Sequence, residues 1–224
     1  MRIAALYDVH GMVQALDAVL AEPDVESADR IVIGGDVAAG PFPRESLERL
    51  RALGDRALWV RGNADRELTG WPREQLTDEE AAFLRDLPGG QALGRVLFCH
   101  ATPRSDEELL TEISPEEAWL ESFADVDAEL VVAGHTHMQL DRTVGDVRFV
   151  NAGSVGMPYE DEVAAFWALI DGQEVEFRKT PFDVERAAAE IAASGWPGAQ
   201  EFVAENVLAA PSRAEATQLF ESWR

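Results

Sequence analysis

Six residues, Ile31-Val32-Ile33-Gly34-Gly35-Asp36, constrain this chain more than any other stretch. A β-branched run this short, stopped by two glycines, reads as a strand buried on both faces. The aspartate falls at the strand's C-terminal end, where open α/β sheets bind their ligands. Strand-Gly-Gly-Asp is also an ordinary turn, so the reading depends on whether other strands end the same way.

They do. Residues 2–7 read as the first strand and stop at Asp8-Val9-His10-Gly11. Residues 12–20 then carry apolar side chains at helical spacing (Val13, Leu16, Val19, Leu20). Leu47, Leu50 and Leu53 mark a second helix, and Ala57-Leu58-Trp59-Val60 a third strand ending in Gly62-Asn63-Ala64-Asp65. This is β-α-β-α-β with a polar residue at every strand end. A helix over 78–87 is capped by Thr77 with Glu80 three residues on, a capping box. Val96-Leu97-Phe98-Cys99 ends at His100. A helix over 116–124 takes Ser114 as its cap and Pro115 at its first position. Leu130-Val131-Val132-Ala133 ends in Gly134-His135-Thr136-His137. Residues 138–150 and 162–179 then alternate around Gly145-Asp146 and Asp171-Gly172, which are hairpin turns. The change of pattern predicts a second, mostly antiparallel sheet packed on the first.

From about residue 183 alanine and glutamate dominate, predicting helices over 183–193, 199–208 and 212–222, broken at Ser194-Gly195-Trp196-Pro197 and Ala210-Pro211. The expected organisation is one domain over 1–181 and a helical extension over 182–224 that packs on it, caps its site or dimerises. A net charge of −23 repels polyanions, so binding to a nucleic-acid backbone is not expected. One cysteine, Cys99, allows no internal disulfide and fits a reducing compartment. A strand begins almost at residue 1, and no apolar run reaches the length of a membrane span. A cytoplasmic location without membrane attachment is the expectation.

All four histidines, His10, His100, His135 and His137, fall just past a predicted strand. With Asp8, Asp36 and Asn63 they give seven side chains whose strand ends converge on one edge. Imidazole with carboxylate fits Mn²⁺, Fe²⁺, Zn²⁺ or Ni²⁺ and disfavours a thiolate site. Two such ions about 3.5–4 Å apart clamp the attacking and leaving oxygens of an in-line phosphoryl displacement. One carboxylate must bridge them, and Asp36, in mid-sequence, is the choice. Two dications less two carboxylates leave a positive centre that draws an anion into an acidic protein.

Asp8-x-His10, Gly35-Asp36, Gly62-Asn63-x-Asp65, His100 and Gly134-His135-x-His137 occur in the order found in calcineurin-like metallophosphoesterases. From residue 1 to about 180 the chain resembles the small bacterial phosphodiesterases of that superfamily. The resemblance implies a four-layer α/β/β/α sandwich. It implies one metal held by Asp8, His10, Asp36 and His137, and a second by Asp36, Asn63, His100 and His135, with manganese first among the candidate ions. It implies a phosphodiesterase attacked in line by a water or hydroxide between the metals, and a small phosphoester or phosphoanhydride as substrate. A phosphomonoesterase or protein phosphatase is the alternative within the class. A non-catalytic scaffold, like the retromer subunit that resembles this family, is the alternative outside it; a homodimer is open.

Asn151, Gly153 and Ser154 resemble the family's loop after the hairpin strand and are expected near substrate, their backbone supporting the site. Ser154 nearly matches a nucleophile elbow, but Met157-Pro158-Tyr159 follows where that motif needs a helix. Neither a phosphate-binding P-loop nor a dinucleotide fingerprint occurs. The chain departs from the family at Ala64, where many members carry a histidine that protonates the leaving group. General acid catalysis contributes about 10²–10⁴-fold, so activated esters and anhydrides are the expected substrates. Asp65 with a raised pKa is a substitute acid, although orienting a ligand histidine is the expected role. Arg104, following His100, is a candidate phosphate-binding fork, and Arg66 a weaker one. Tyr7 either narrows the pocket or packs.

Overall fold

The computed structural model describes residues 1–209 and 211–224. Strand β1 (Arg2–Leu6) leads into α1 (Val13–Leu20) and the short α2 (Pro23–Glu26), then β2 (Arg30–Ile33). Helix α3 (Pro43–Arg51) precedes β3 (Ala57–Trp59). Three short helices follow: α4 (Asn63–Arg66), α5 (Gly70–Gln75) and α6 (Asp78–Arg85). The Thr77–Glu80 box caps α6 as expected, with each side chain bonded to the other's backbone N–H. Then come β4 (Gly90–Leu93), β5 (Val96–Cys99), α7 (Glu116–Ser122), β6 (Leu130–Ala133), β7 (Leu140–Val144) and β8 (Val147–Asn151). The hairpin β9 (Ala165–Asp171) and β10 (Glu174–Thr180) precedes α8 (Val184–Ala193), α9 (Ala199–Phe202) with a π-helical turn over Val203–Val207, and α10 (Arg213–Trp223). Ala210, half of the predicted Ala210-Pro211 break, lies outside the described residues.

The strands form two five-stranded mixed sheets, ordered β10-β9-β1-β2-β3 and β4-β5-β6-β8-β7. In the first, β1-β2-β3 are parallel out to the β3 edge and the antiparallel pairs lie on the β9-β10 side; in the second, β5-β6-β8 form a parallel centre with an antiparallel pair at each flank. This corrects the expectation of a mostly antiparallel second sheet. The second hairpin pairs with β1 in the first sheet, Ile3 opposite Ile170, rather than extending the second.

Period-two alternation sorts the side chains into layers. From β1, Ile3, Ala5 and Tyr7 enter the core between the sheets, with Val132 and Phe98 of the second sheet. Ala4 and Leu6 face the opposite way, against Leu16 and Val19 of α1 and Leu47 and Leu50 of α3. From β6, Val131 and Ala133 pack outward on Trp119 and Phe123 in and beside α7. The result is helices, sheet, sheet and helix, the α/β/β/α sandwich that the resemblance implied. Tyr7 packs in the middle layer and gives its hydroxyl to the Val132 carbonyl at 2.8 Å.

The C-terminal helices build no core of their own. Ala187, Ile191, Phe202 and Val207 share the core of the first sheet's helical face. Helix α10 packs Ala216 and Phe220 on Met138. Ser114, predicted to cap α7, instead turns its hydroxyl to Glu221 of α10. Among the described residues, no helix is long and apolar enough to cross a membrane.

Candidate metal centre

The parallel strands of both sheets end on the same edge. Asp8 and His10 follow β1, Asp36 follows β2, Asn63 follows β3, His100 follows β5, and His135 and His137 follow β6. The backbone at these points is unusual. Six non-glycine residues among those described have positive φ, and five are Asp8 (54°), His10 (47°), Asp36 (53°), His135 (69°) and His137 (58°). The left-handed region costs an L-residue about 1–2 kcal/mol, and such strain gathers at functional sites. Here all five lie just past the ends of β1, β2 and β6.

Hydrogen bonds fix these turns. His10 N–H donates to the Asp36 carbonyl at 2.8 Å, and Asp8 N–H to the Gly35 carbonyl at 3.1 Å. Asp65, 1% exposed, accepts N–H donors from Asp36 (2.8 Å), Val37 (3.0 Å) and Gly62 (3.0 Å). Gly62 must be glycine, because a Cβ there would stand 2.1 Å from Asp36 Oδ1.

The histidines form two pairs, His10 with His137 (ring centroids 4.9 Å apart) and His100 with His135 (5.0 Å). Three of them rest Nδ1 on a backbone carbonyl: His10 on Ala39 (3.2 Å), His100 on Gly34 (2.8 Å) and His137 on Met157 (2.6 Å). A carbonyl accepts only, so Nδ1 carries a proton, and in the neutral ring Nε2 then presents its lone pair. These Nε2 atoms converge on two carboxylates. Asp36 Oδ2 is 3.7 Å from His10 Nε2 and 3.6 Å from His100 Nε2. Asp8 Oδ1 is 3.5 Å from His137 Nε2, 3.8 Å from His100 Nε2 and 4.0 Å from His10 Nε2. Asn63 Oδ1 lies 3.0 Å from His100 Nε2.

These residues fit a metal ion on their own geometry. Asp8 Oδ1 and His135 Nε2 are buried without a hydrogen-bond partner, a costly state for polar atoms. His10 Nε2 and His137 Nε2 are 3.1 Å apart with lone pairs toward each other, which a cation satisfies and a hydrogen bond does not. Two groups of side chains have ligand atoms close enough to share an ion: Asp8, His10 and His137, and Asp8, Asp36 and His100.

The electrostatics have the same character. Burial pushes Asp8 up, but His137, His100 and His10 outweigh it and hold the carboxyl well below the usual range. Burial, then His137, lowers His10. Burial, then His100, lowers His135 to about 4. His100 is pulled down by burial, yet Asp36 and Asp8 outweigh this and leave it raised. Burial, then the Asp36 charge, raises Asp65 to about 7.

Several expected roles change. The raised pKa does not make Asp65 a general acid, since both its oxygens are held by N–H donors below the Asp36 loop. Nor does it hydrogen-bond a histidine; backbone carbonyls hold His10, His100 and His137. Arg104 is no free phosphate fork: it bonds Glu108 through Nη2 (2.5 Å) and Nε (3.2 Å) and donates to the Glu121 carbonyl. Arg66 is engaged by Asp106 and Glu107. Ser154 is fully buried, donating to the Asp8 carbonyl and accepting from Met157 N–H, both at 2.8 Å. Asn151 is buried too; it donates to the Gly134 carbonyl and Thr136 Oγ1 and accepts from Gly153 N–H. Asn151, Gly153 and Ser154 therefore brace the loops bearing Asp8 and His135 and offer substrate no free side chain.

Sequence reasoning missed Tyr159, whose ring stacks on His137 at 4.9 Å and 29°, and the Met157 carbonyl behind the same imidazole. Their only signal was the Met157-Pro158-Tyr159 run after the Ser154 loop.

Two mixed sheets between helical layers, with histidines and carboxylates gathered at the strand ends, define an α/β sandwich with a candidate metal centre. The chain belongs to the calcineurin-like phosphoesterase superfamily, whose domain model matches residues 1–173. It is similar to a metallophosphoesterase from Sphaerobacter thermophilus, with 26% identity and a TM-score of 0.80 over 93% of this chain and 99% of that one. A hypothetical protein from Pyrococcus horikoshii shares the fold at 22% identity and a TM-score of 0.74, over 90% of this chain and 97% of that one. An uncharacterized protein of Methanocaldococcus jannaschii is 25% identical over 87% of this chain and 93% of its own length.

Proposed function

We propose that the chain is a metal-dependent phosphodiesterase for small substrates, working with two divalent ions of which manganese is the first candidate. The observation that carries this reading is the convergence of ligand atoms that nothing else satisfies: Asp8 Oδ1, His135 Nε2, and the facing Nε2 atoms of His10 and His137. Without an ion to satisfy them, burying these atoms is costly.

When bound, the ions offset phosphoryl charge and bring the pKa of water toward neutrality. The chain's own residues do the rest. Asp36 and Asp8 stand between the two histidine pairs, and Asp36, within reach of both His10 and His100, is the proposed shared ligand. Asn63, His100 and His135 complete one side, His10 and His137 the other. Ala64 offers no proton to a leaving group; its N–H is spent on Asp36 Oδ1 at 2.8 Å. Esters of acidic alcohols and phosphoanhydrides, which leave without protonation, are therefore the favoured substrates.

The test is hydrolysis of bis-p-nitrophenyl phosphate against p-nitrophenyl phosphate by metal-stripped protein, with and without Mn²⁺. Metal-dependent turnover of the diester, abolished in Asp36→Ala and steeply dependent on leaving-group pKa, is the expected result. A preference for the monoester assigns a phosphomonoesterase instead. No turnover with Mn²⁺, Fe²⁺, Zn²⁺ or Ni²⁺ despite bound metal refutes catalysis and leaves a metal-holding scaffold.

A further inference from the structure

We propose that α10 and the Met157–Tyr159 turn form an apolar subsite beside the metal centre, which takes the aryl or alkyl arm of a phosphodiester. This rests on the phosphoesterase reading above and names the substrate feature the chain selects.

A cavity of about 360 Å³ lies between that turn and α10, with Met157, Tyr159, Ala216, Leu219, Phe220 and Trp223 in its wall. Small-ligand pockets run from about 300 to 1,000 Å³, so it suits a ring or short chain. Two of its wall residues also brace a candidate metal ligand. The Met157 carbonyl holds His137 Nδ1, and the Tyr159 ring lies on the His137 face. Phe220 touches the same tyrosine, with ring centroids 5.7 Å apart. Cavity and centre thus share one aromatic wall.

The wall is built in advance of any ligand. At its start α10 is held by Arg213, which bonds Glu160 (2.9 Å), the Gln139 carbonyl (2.9 Å) and Glu112 (3.3 Å). At its end Glu221 accepts from Thr111 at 2.6 Å and from Ser114. Nevertheless Leu219 is 47% exposed and Trp223 64%. In a chain of net charge −23, two large apolar side chains left uncovered at one cavity mark a place for an apolar partner. Glu205 and Glu215 at the rim add negative charge. Within this cavity they disfavour a phosphate group and leave a neutral apolar arm as the occupant, which favours the ester over the anhydride among the substrates above.

The test compares two diesters with the same 4-nitrophenolate leaving group, methyl 4-nitrophenyl phosphate and phenyl 4-nitrophenyl phosphate. Covering on the order of 60 Å² of ring is worth about tenfold in affinity. A KM about tenfold lower for the phenyl ester is expected, and Leu219→Glu should abolish that ratio. A binding readout is independent of turnover. With only four methionines, the Met157 methyl resonance, assigned from Met157→Leu, should shift in zinc-loaded protein with phenylphosphonate and not with methylphosphonate. Equal KM values for both turned-over esters, or a Met157 signal indifferent to phenylphosphonate, overturn the subsite and leave the esterase standing. No turnover of either ester with any metal overturns the phosphoesterase reading, and the subsite falls with it.

Discussion

Replacing Asp65 tests whether this fold holds its centre through the backbone. In Asp65→Ala three buried N–H groups, those of Asp36, Val37 and Gly62, lose their acceptor. Each orphaned donor costs about 1–3 kcal/mol. The loss is partly offset, because a buried carboxyl beside Asp36 is also removed. A net destabilisation of about 3–5 kcal/mol is expected. At about 2–4 °C per kcal/mol for a chain of this size, Tm should fall by roughly 6–20 °C. Asp65→Asn separates charge from geometry. With its oxygen in place of Oδ2 it keeps the Asp36 and Gly62 bonds but sets an NH2 against Val37 N–H, so about 1–3 kcal/mol should be lost. Both variants should weaken metal binding, since the Asp36 turn is no longer held. Urea unfolding of metal-free protein reads the stability, and calorimetric titration with Mn²⁺ reads the affinity. An Asp65→Ala protein within 1 kcal/mol of the parent refutes the bracing argument. So does a destabilised protein whose Mn²⁺ affinity is unchanged.

Three further outcomes follow from the same geometry. Asp36 has φ of 53°, and left-handed backbone costs about 1–2 kcal/mol without glycine, against about 0.4–1 kcal/mol of unfolded-chain entropy that glycine adds. Asp36→Gly should therefore unfold about 0.5–1 kcal/mol later than Asp36→Ala, although neither binds metal normally; equal stabilities would show that the turn is unstrained. Burial pushes the Cys99 thiol up to about 12, so native protein at pH 8 should resist a thiol reagent that labels it fully in urea. Because the unfolded thiol ionises first, near pH 8.5, stability should fall by about 1.4 kcal/mol per pH unit above that value relative to Cys99→Ala; a pH-independent difference refutes the shift. Arg104→Ala should leave kcat/KM within about twofold, since its guanidinium serves Glu108 and the Glu121 carbonyl; a loss of tenfold or more, about 1.4 kcal/mol of transition-state binding, would return it to the substrate.

Local chemistry alone determined much of this protein. β-branched runs stopped by glycine and a polar residue specify strands and their ends, and a parallel sheet gathers those ends on one edge. Asp8, His10, Asp36, Asn63, His100, His135 and His137 were therefore legible as one set before any coordinates. The Thr77–Glu80 box was legible because capping is a contact three residues long. β4 was missed because Gly90-Gln91-Ala92-Leu93 carries no β-branched residue; its pairing with β5 makes it a strand. The second hairpin's local pattern is the same whichever sheet it joins, and only the meeting of Ile3 with Ile170 decided the matter. The roles of Asp65, Ser154 and Arg104 depended on distant partners as well. A carboxylate, hydroxyl or guanidinium can serve substrate or scaffold, and burial with long-range hydrogen bonds made all three scaffold. Tertiary structure likewise brought Tyr159 and Phe220 to His137. Side-chain type fixes what chemistry a residue can do, but which groups stand unsatisfied at the strand ends is set by packing far along the chain.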